Sequence, residues 1–243
     1  MLFFYLISRL YKILIWLRNL LYDKKWVKIF SFEKAFDILI VDDGSPDGTA
    51  KSVEKIQKND SKLYLINRKK KLGLGSAYCL GFKWAIENNF NFIVQMDADL
   101  SHNPNDITRL LDKIHDNDLV IGSRYKTGVN VVNWPLRRLV LSYLANIYAR
   151  VITGLKVYDL TSGFKCIKTD VLKNINIDKI KSEGYSFQIE VNCLCYNQNY
   201  KISEVPIIFY DRTIGQSKMS KKIIFEAIIR VPIFRLKRIF GIS

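Results

Sequence analysis

This chain of 243 residues has few of the residues that build several common kinds of functional site. Its two histidines are too few for a histidine-based metal site, and its four cysteines form no Cys-x-x-Cys pair and show no zinc-finger spacing. We expect these cysteines to be buried free thiols, as in a reducing compartment. An aromatic RNA-binding signature and a basic zipper are also absent, so nucleic acid is not an expected partner.

Internal repeats, low-complexity tracts and long linkers are missing as well, which favours one catalytic-sized α/β domain with a sizeable core. Acidic residues are in the minority: 38 Lys and Arg face 23 Asp and Glu, giving a formal net charge of +15. Such an excess favours anionic partners, namely nucleoside diphosphates, lipid phosphates or a negatively charged membrane surface.

The most informative feature present is an apolar strand that runs into Asp97-Ala98-Asp99. Side chains alternate along an extended backbone, so Asp97 and Asp99 can point the same way. Two hard carboxylates at a strand end suit Mg²⁺ or Mn²⁺, which keep open positions for phosphate oxygens of a substrate. Taken alone the signal is weak, because most such acid pairs are solvated surface.

A second acidic turn strengthens the interpretation. Residues 36–41 form a short, nearly unbroken apolar run typical of a buried parallel strand, and Asp42 and Asp43 follow it. A helix-like run over 50–57 comes next. Strand, polar loop, helix and a further strand with acids at its end indicate an open α/β sheet, in which ligands lie beyond the carboxyl ends of the strands. The alternative is that both acids only shape the turn.

An ordered set of motifs resembles glycosyltransferase family 2, in the branch of the dolichyl-phosphate mannose synthases. The similarity covers roughly residues 36 to 220, and the ordered set is far more specific than any one motif. The motifs are Val-Asp-Asp-Gly-Ser-Pro-Asp-Gly-Thr (41–49), Lys-Leu-Gly-Leu-Gly-Ser-Ala-Tyr (71–78), Met-Asp-Ala-Asp-Leu-Ser-His (96–102), Gly-Ser-Arg-Tyr (122–125), Asp-Leu-Thr-Ser-Gly-Phe (159–164), Gly-Tyr-Ser-Phe-Gln-Ile-Glu (184–190), Glu-Val-Pro-Ile (204–207) and Asp-Arg-Thr-Ile-Gly-Gln-Ser-Lys (211–218).

The resemblance implies a GT-A fold and inverting transfer of mannose from GDP-mannose to dolichyl phosphate, which would serve protein glycosylation and GPI-anchor synthesis. It further implies Mg²⁺ or Mn²⁺ as cofactor and a place at the cytosolic face of the endoplasmic reticulum membrane. Some relatives rely on small membrane subunits. Two alternatives stay open: a transferase that uses UDP-glucose on a polyprenyl phosphate, and a non-catalytic membrane-associated homologue.

The matched motifs also imply roles for individual residues. Asp97 and Asp99 would hold the metal, Asp99 and Arg124 would act in catalysis, and Arg138 would hold the acceptor phosphate. Val41 and Asp43 would contact the donor base, although guanine and uracil both offer N–H groups to Asp43. The residues placed at the donor are Val41, Asp43, Asp97, Ala98, Asp99, Arg124, Arg212 and Lys218.

The two ends of the chain differ from the predicted catalytic domain over residues 31–222. Relatives begin with a strand ending in Pro-x-Tyr-Asn-Glu, and nothing like it precedes Phe36. The first 22 residues are apolar and aromatic, but three cations interrupt them, which disfavours a membrane span. We expect an interfacial amphipathic helix within residues 1–30, or a segment that replaces the missing strand. A signal peptide is not expected, because an uninterrupted apolar core is lacking. Residues 223–243 form a basic amphipathic segment whose helix we expect Pro232 to break.

Overall fold

A computed structural model describes the backbone of residues 13–18 and the residues 36–97, 99–211 and 221–240, with side chains from 224 onward in the last range. Within these ranges seven strands form one sheet in the order β3-β2-β1-β4-β7-β5-β8. Strand β7 is antiparallel to both of its neighbours, and the other described pairs of this sheet are parallel. The strands are β1 (Ile13–Arg18), β2 (Asp37–Asp42), β3 (Leu63–Asn67), β4 (Phe92–Asp97), β5 (Leu119–Ser123), β7 (Lys165–Lys168) and β8 (Ile202–Pro206), with a separate parallel pair of β6 (Val131–Val132) and β9 (Phe209–Tyr210).

Helices cover both faces of this sheet, because alternate strand residues point to opposite sides. On β2, Leu39 and Val41 join one apolar cluster, and Ile40 joins the other. The first cluster includes residues of α2, α4, α6 and α7, and the second includes residues of α1 and α3. The helices are α1 (Thr49–Gln57), α2 (Leu74–Glu87), α3 (Asp106–Ile114), α4 (Leu136–Thr153), α5 (Thr169–Asn174), α6 (Gly184–Asn197) and α7 (Lys221–Ile239), with a 3₁₀ turn at Ile177–Lys179. The predicted open, mostly parallel α/β sheet is confirmed.

Of the two alternatives for the amino-terminal segment, the amphipathic helix is wrong over residues 13–18, and a segment that replaces the family's first strand is what the structure has there. This stretch forms strand β1, which lies between β2 and β4 and is parallel to both. Residues 13–17 are an apolar run of five residues, too short to distinguish a helix from a strand by its pattern, and here two neighbouring strands provide backbone partners along β1. The family's first strand is therefore replaced by a different sequence, not missing. The remainder of the predicted interfacial segment over 1–30 lies outside the described residues.

Helix α7 continues through Pro232, so the predicted break is also wrong. Proline at this position cannot donate a hydrogen bond to the carbonyl four residues earlier, at Ile228. The hydroxyl of Tyr148, on α4, donates to this carbonyl oxygen at 2.9 Å. Helix α4 thus supplies the partner that the proline removes. No helix among the described residues is long and apolar enough to cross a membrane.

Candidate active site

The carboxyl ends of β2 and β4 bring the two predicted acidic turns to one edge of the sheet. Arg18, the last residue of β1, pairs in register with Val41 on one side and with Asp97 on the other. Val41 and Asp97 are thus two strand spacings apart, about 10 Å. Tyr78, on α2, donates to Asp97, and Arg68, which donates to Asp43, also donates to Ser76 on α2. Both acids therefore lie on the side of the sheet that α2 covers, where Leu39, Val41 and Ile93 also pack. A ligand that binds across this edge would meet both acids.

Asp43 is held by Arg68, an arginine outside the predicted set of site residues. Nε of Arg68 donates to Oδ1 of Asp43 at 2.6 Å, and both side chains are more than nine-tenths buried. The same guanidinium donates to the Ser76 hydroxyl at 2.9 Å and to the Gly73 carbonyl at 3.1 Å, at the start of α2. Oδ2 of Asp43 is buried and has no hydrogen-bond partner among the described residues. One acceptor atom is therefore left for a donor group such as a base N–H.

The acid pair lies beside this corner. Oδ1 of Asp97 accepts a hydrogen bond from the Tyr78 hydroxyl at 3.1 Å, and Oδ1 of Asp99 accepts one from the Ser101 amide at 3.2 Å. His102 is buried, and its ring packs against two aromatic rings. Burial lowers its pKa although the charges of Asp97 and Asp99 both act to raise it. Asp97 is the last residue of β4, and Asp99 follows it by two positions, so both acids belong to this edge of the sheet.

The donor set of this pair fits a hard divalent cation. Among the described residues, no third His, Cys, Asp or Glu joins the two acids in a ready-made cluster. Mg²⁺ is usually bound by one or two carboxylates together with substrate phosphates and water, so a complete protein cage is not required. The hydrogen bond that Asp97 accepts from Tyr78 is at Oδ1 and not at Oδ2. Asp97 and Asp99 are the residues that would hold such an ion.

Arg124 follows β5 and is buried against an acid from a distant loop. Its Nε and Nη2 each donate to Asp159 at 2.6 Å, and Nη2 also donates to the Thr161 hydroxyl at 2.8 Å. Burial alone would lower the pKa of Arg124, but Asp159 more than offsets this, and the pKa is raised. Asn146, on α4, donates to the same threonine at 3.1 Å. Arg124 is thus permanently charged, and Asp159 largely neutralises that charge.

Arg138, on α4, also has an acidic partner. Its Nη1 donates to Oδ1 of Asp211 at 2.5 Å, and its guanidinium carbon lies 4.1 Å from the centre of the Trp134 ring. The Nε atom is buried and has no partner among the described residues. The arginine is therefore fixed by an ion pair and an aromatic ring, with one N–H still unsatisfied.

Comparison with known proteins identifies this arrangement. The family model described as "Glycosyl transferase family 2" matches residues 25–175. The chain belongs to this family. It is 41% identical over 195 residues to the undecaprenyl-phosphate mannosyltransferase of Micrococcus luteus, which is 80% of each protein. It is 43% identical over 196 residues to the polyprenol monophosphomannose synthase of Mycolicibacterium smegmatis, covering 80% of this chain and 74% of that protein.

Solved structures support the GT-A fold of this glycosyltransferase. Glucosyl-3-phosphoglycerate synthase from Mycobacterium tuberculosis, in complex with Mn²⁺, UDP-glucose and phosphoglyceric acid, matches with a TM-score of 0.64 and 17% identity over 94% of this chain and 82% of that one. The same enzyme with Mg²⁺ and UDP matches with a TM-score of 0.65 and 17% identity, over the same shares of the two chains. At this level of identity the likeness shows the fold alone.

The structure brings most of the predicted site residues of this glycosyltransferase to one edge, with two differences in detail. Val41 has no exposed surface, because its side chain packs in the first apolar cluster. A base at this edge would therefore meet its main chain and not its side chain. Arg124 is engaged by Asp159, so a direct contact with the donor phosphates stays a prediction. Ala98, Arg212 and Lys218 lie outside the described residues.

Three residues that position the site were missed in the sequence analysis. Arg68 lies in a run of four cations that resembles an ordinary solvated surface. Tyr78 and Asp159 lie within quoted motifs, but nothing in the sequence alone shows that they contact Asp97 and Arg124. Each of these contacts joins residues at least 19 positions apart in the chain. The only indication in the sequence was that Tyr78 and Asp159 belong to the quoted motifs.

Proposed function

We propose that this glycosyltransferase transfers mannose from GDP-mannose to a polyprenyl phosphate of the dolichyl type, with inversion at the sugar carbon. Two relatives that are 41% and 43% identical bear the names of a polyprenyl-phosphate mannosyltransferase and a polyprenol monophosphomannose synthase. The observation that carries the proposal is the shared edge: a buried free acceptor atom on Asp43 lies on the same face as the Asp97 carboxylate. This arrangement suits a nucleoside diphosphate that spans from base to phosphates.

The proposed acceptor explains why the site needs no strong general base. A phosphate monoester has a second pKa of about 6 and is therefore largely ionised at neutral pH. The histidine at this edge is buried between two aromatic rings, and burial lowers its pKa, so it stays neutral. The demanding part of the reaction is departure of the nucleoside diphosphate with growing negative charge. A divalent cation held by Asp97 and Asp99 would offset that charge.

Two neighbouring helices support the proposed work at a membrane surface. Helix α4 carries three arginines and no acid, and α7 carries six cations and one acid. Both also carry large exposed apolar side chains, and their ends are linked by hydrogen bonds from Arg235 and Arg238 to the Thr153 carbonyl. Exposed apolar surface combined with cations fits the boundary of an anionic bilayer. We name this the α4/α7 surface; its exposed apolar residues are Leu136, Val140, Leu141, Tyr143, Leu144, Val151, Phe225, Ile228, Ile229, Ile233, Leu236, Ile239 and Phe240.

The test of the reaction uses the purified protein with each combination of donor and acceptor. GDP-mannose and UDP-glucose are each offered with dolichyl phosphate and with undecaprenyl phosphate, in the presence of Mg²⁺ or Mn²⁺ or with a chelator. We expect metal-dependent mannosyl lipid from GDP-mannose, with the dolichyl acceptor preferred if the enzyme acts at the endoplasmic reticulum. Turnover by the isolated chain would also show that accessory membrane subunits are not required.

Two variants make the result specific. We expect Asp99→Asn to abolish metal-dependent transfer, because it removes one of the two proposed carboxylate ligands. Asp112→Asn changes an exposed acid on α3 in the same way and should leave turnover intact. Glucosyl lipid from UDP-glucose alone would contradict the proposed donor, and unchanged turnover by Asp99→Asn would contradict the metal assignment.

A separate experiment tests the membrane surface. Flotation with vesicles of phosphatidylcholine and phosphatidylserine should recover the protein, and Leu144→Asp with Phe225→Asp should reduce the recovered fraction severalfold. Gln57→Asp introduces one such charge at an exposed position on α1, on the opposite face of the sheet, and should have no effect. Equal recovery of all variants would contradict a role for the α4/α7 surface.

A further inference from the structure

The carboxylate of Asp97 is confined from two sides. On one side the Tyr78 hydroxyl donates to Oδ1 at 3.1 Å. On the other side lies the backbone of Gly163, where a Cβ atom would stand 3.2 Å from Oδ2 and 3.5 Å from Oδ1. Any side chain at position 163 would therefore crowd the carboxylate. The two contacts together leave Asp97 little freedom to rotate.

Tyr78 itself is rigidly placed. Its side chain has no exposed surface, and its ring stacks on that of Phe187 with an interplanar angle of 5° and a centroid distance of 5.3 Å. Phe82, one turn further along α2, lies 6.3 Å from the same ring. The ring of Tyr78, on α2, thus packs firmly against α6, and its hydroxyl donates to Asp97 at the sheet edge. A hydroxyl held in this way fixes the orientation of the carboxylate that it contacts.

The glycine side is equally fixed. Nε2 of Gln95 donates to the Gly163 carbonyl at 3.0 Å and to Oε1 of Gln188 at 2.8 Å. Gln95 has no exposed surface and lies two residues before Asp97 on the same strand and the same face. The position of the glycine therefore depends on the sheet and on α6, not on a mobile loop.

We propose that Tyr78 is a positioning residue for Asp97. Its hydroxyl occupies Oδ1, and this leaves Oδ2 as the atom that binds a divalent cation. Carboxylates that bind metals are usually hydrogen-bonded in turn, and loss of such a partner weakens metal affinity by about 10–100-fold. The inference rests on the metal-dependent reaction proposed above. Core packing explains the ring of Tyr78, and the proposed role explains its hydroxyl.

The test measures Mn²⁺ binding directly, by electron paramagnetic resonance, with GDP present. Tyr78→Phe keeps the stacked ring and removes only the hydroxyl, so we expect the Kd for Mn²⁺ to rise about 10–100-fold. The affinity for GDP in the absence of metal should stay unchanged. Tyr64→Phe is the matched control, because its hydroxyl also donates to an aspartate, Asp37, at 3.3 Å and at the other end of β2. We expect this control to bind Mn²⁺ like the wild type.

A second variant provides an independent test if Tyr78→Phe does not fold. Gly163→Ala leaves Tyr78 untouched and places a methyl group against Oδ2, so it too should raise the Kd for Mn²⁺. Unchanged Mn²⁺ affinity in Tyr78→Phe, or an equal loss in Tyr64→Phe, would overturn the inference, as would a wild-type protein that binds no Mn²⁺. Mn²⁺ binding that responds as expected in a protein that transfers no mannose would leave the inference standing and contradict the proposed donor or acceptor instead.

Discussion

The ion pair of Arg124 and Asp159 offers a prediction whose size follows from the geometry. Two guanidinium nitrogens each lie 2.6 Å from a different carboxylate oxygen, and the Arg124 amide donates to the same acid at 2.9 Å. Exposure of the two side chains is 6% and 0%. Asp159→Asn preserves the shape of the side chain but leaves a buried guanidinium without a counter-charge.

The expected loss is large because the remaining charge has no route to water. Removing one partner of a buried ion pair destabilises a protein by about 3–5 kcal/mol. Three aromatic rings lie 5.3–5.6 Å from the guanidinium carbon and continue to stabilise the cation in the variant. We therefore expect a loss near the lower limit, about 3 kcal/mol. For a chain of this size that corresponds to a fall in Tm of roughly 6–12 °C.

Urea unfolding of both proteins at pH 7 measures this loss. Asp170→Asn is the control, since Asp170 pairs with Lys173 at 2.8 Å with side-chain exposures of 85% and 49%, and an exposed pair contributes less than about 1 kcal/mol. Combining Asp159→Asn with Arg124→Met should cost less than the sum of the two single changes. A loss below about 1 kcal/mol for Asp159→Asn would refute the reasoning, because it would mean that the arginine is solvated or has another counter-charge.

Two further predictions concern the proline within α7 and a buried lysine on β7. Pro232→Ala should raise the free energy of unfolding by about 1–3 kcal/mol, because alanine supplies its own N–H to the Ile228 carbonyl. For the same reason, Tyr148→Phe should destabilise the Pro232→Ala variant less than it destabilises the wild type. Urea unfolding of the wild type, the two single variants and the double variant measures both effects. Burial lowers the pKa of Lys165 from 10.5 to about 7, so between these pH values the folded protein binds fewer protons than the unfolded chain and stability rises with pH. Lys165→Met should abolish this rise, which is at most about 1.4 kcal/mol per pH unit, and parallel stability curves from pH 7 to 9 would contradict it.

The elements predicted correctly are those in which local sequence and tertiary position agree. The strands that end at Asp42 and Asp97 are nearly unbroken apolar runs in the sequence, and in the fold both lie inside the sheet and are covered on both faces. The strand over residues 13–18 could not be chosen over a helix from the sequence, because its partners lie at residues 37–42 and 92–97 and nothing in the sequence shows which run will lie between them. The continuous helix through Pro232 was missed for the same reason, since its compensating hydroxyl is 80 residues from the carbonyl that it satisfies.

The charged residues of the site show a different limit. The motifs predict that Asp43, Arg124 and Arg138 are important, but in the fold each has an oppositely charged partner within the chain. Sequence patterns identify a charged group and do not show how much of its charge remains for a ligand. Lys165 is a lysine whose charge is not available to a ligand, because the side chain has no exposed surface. Its amino group donates to the Gln188 carbonyl at 3.0 Å and to Asn192 at 2.8 Å.

The direction of strand β7 explains why a distant loop forms part of this site. In a sheet made only of parallel strands, the residues that precede β7 would lie at the edge opposite to Asp97. Strand β7 is antiparallel to β4, and Gln95 pairs with Lys165. Asp97, two residues after Gln95, therefore lies opposite Gly163, two residues before Lys165. The loop over 159–163 therefore enters the sheet at its carboxyl edge, and it carries Asp159 to Arg124 and a glycine to the Asp97 carboxylate. One reversed strand thus supplies both the counter-charge of the arginine and the wall beside the acid, and neither could be reached from this loop in a parallel arrangement.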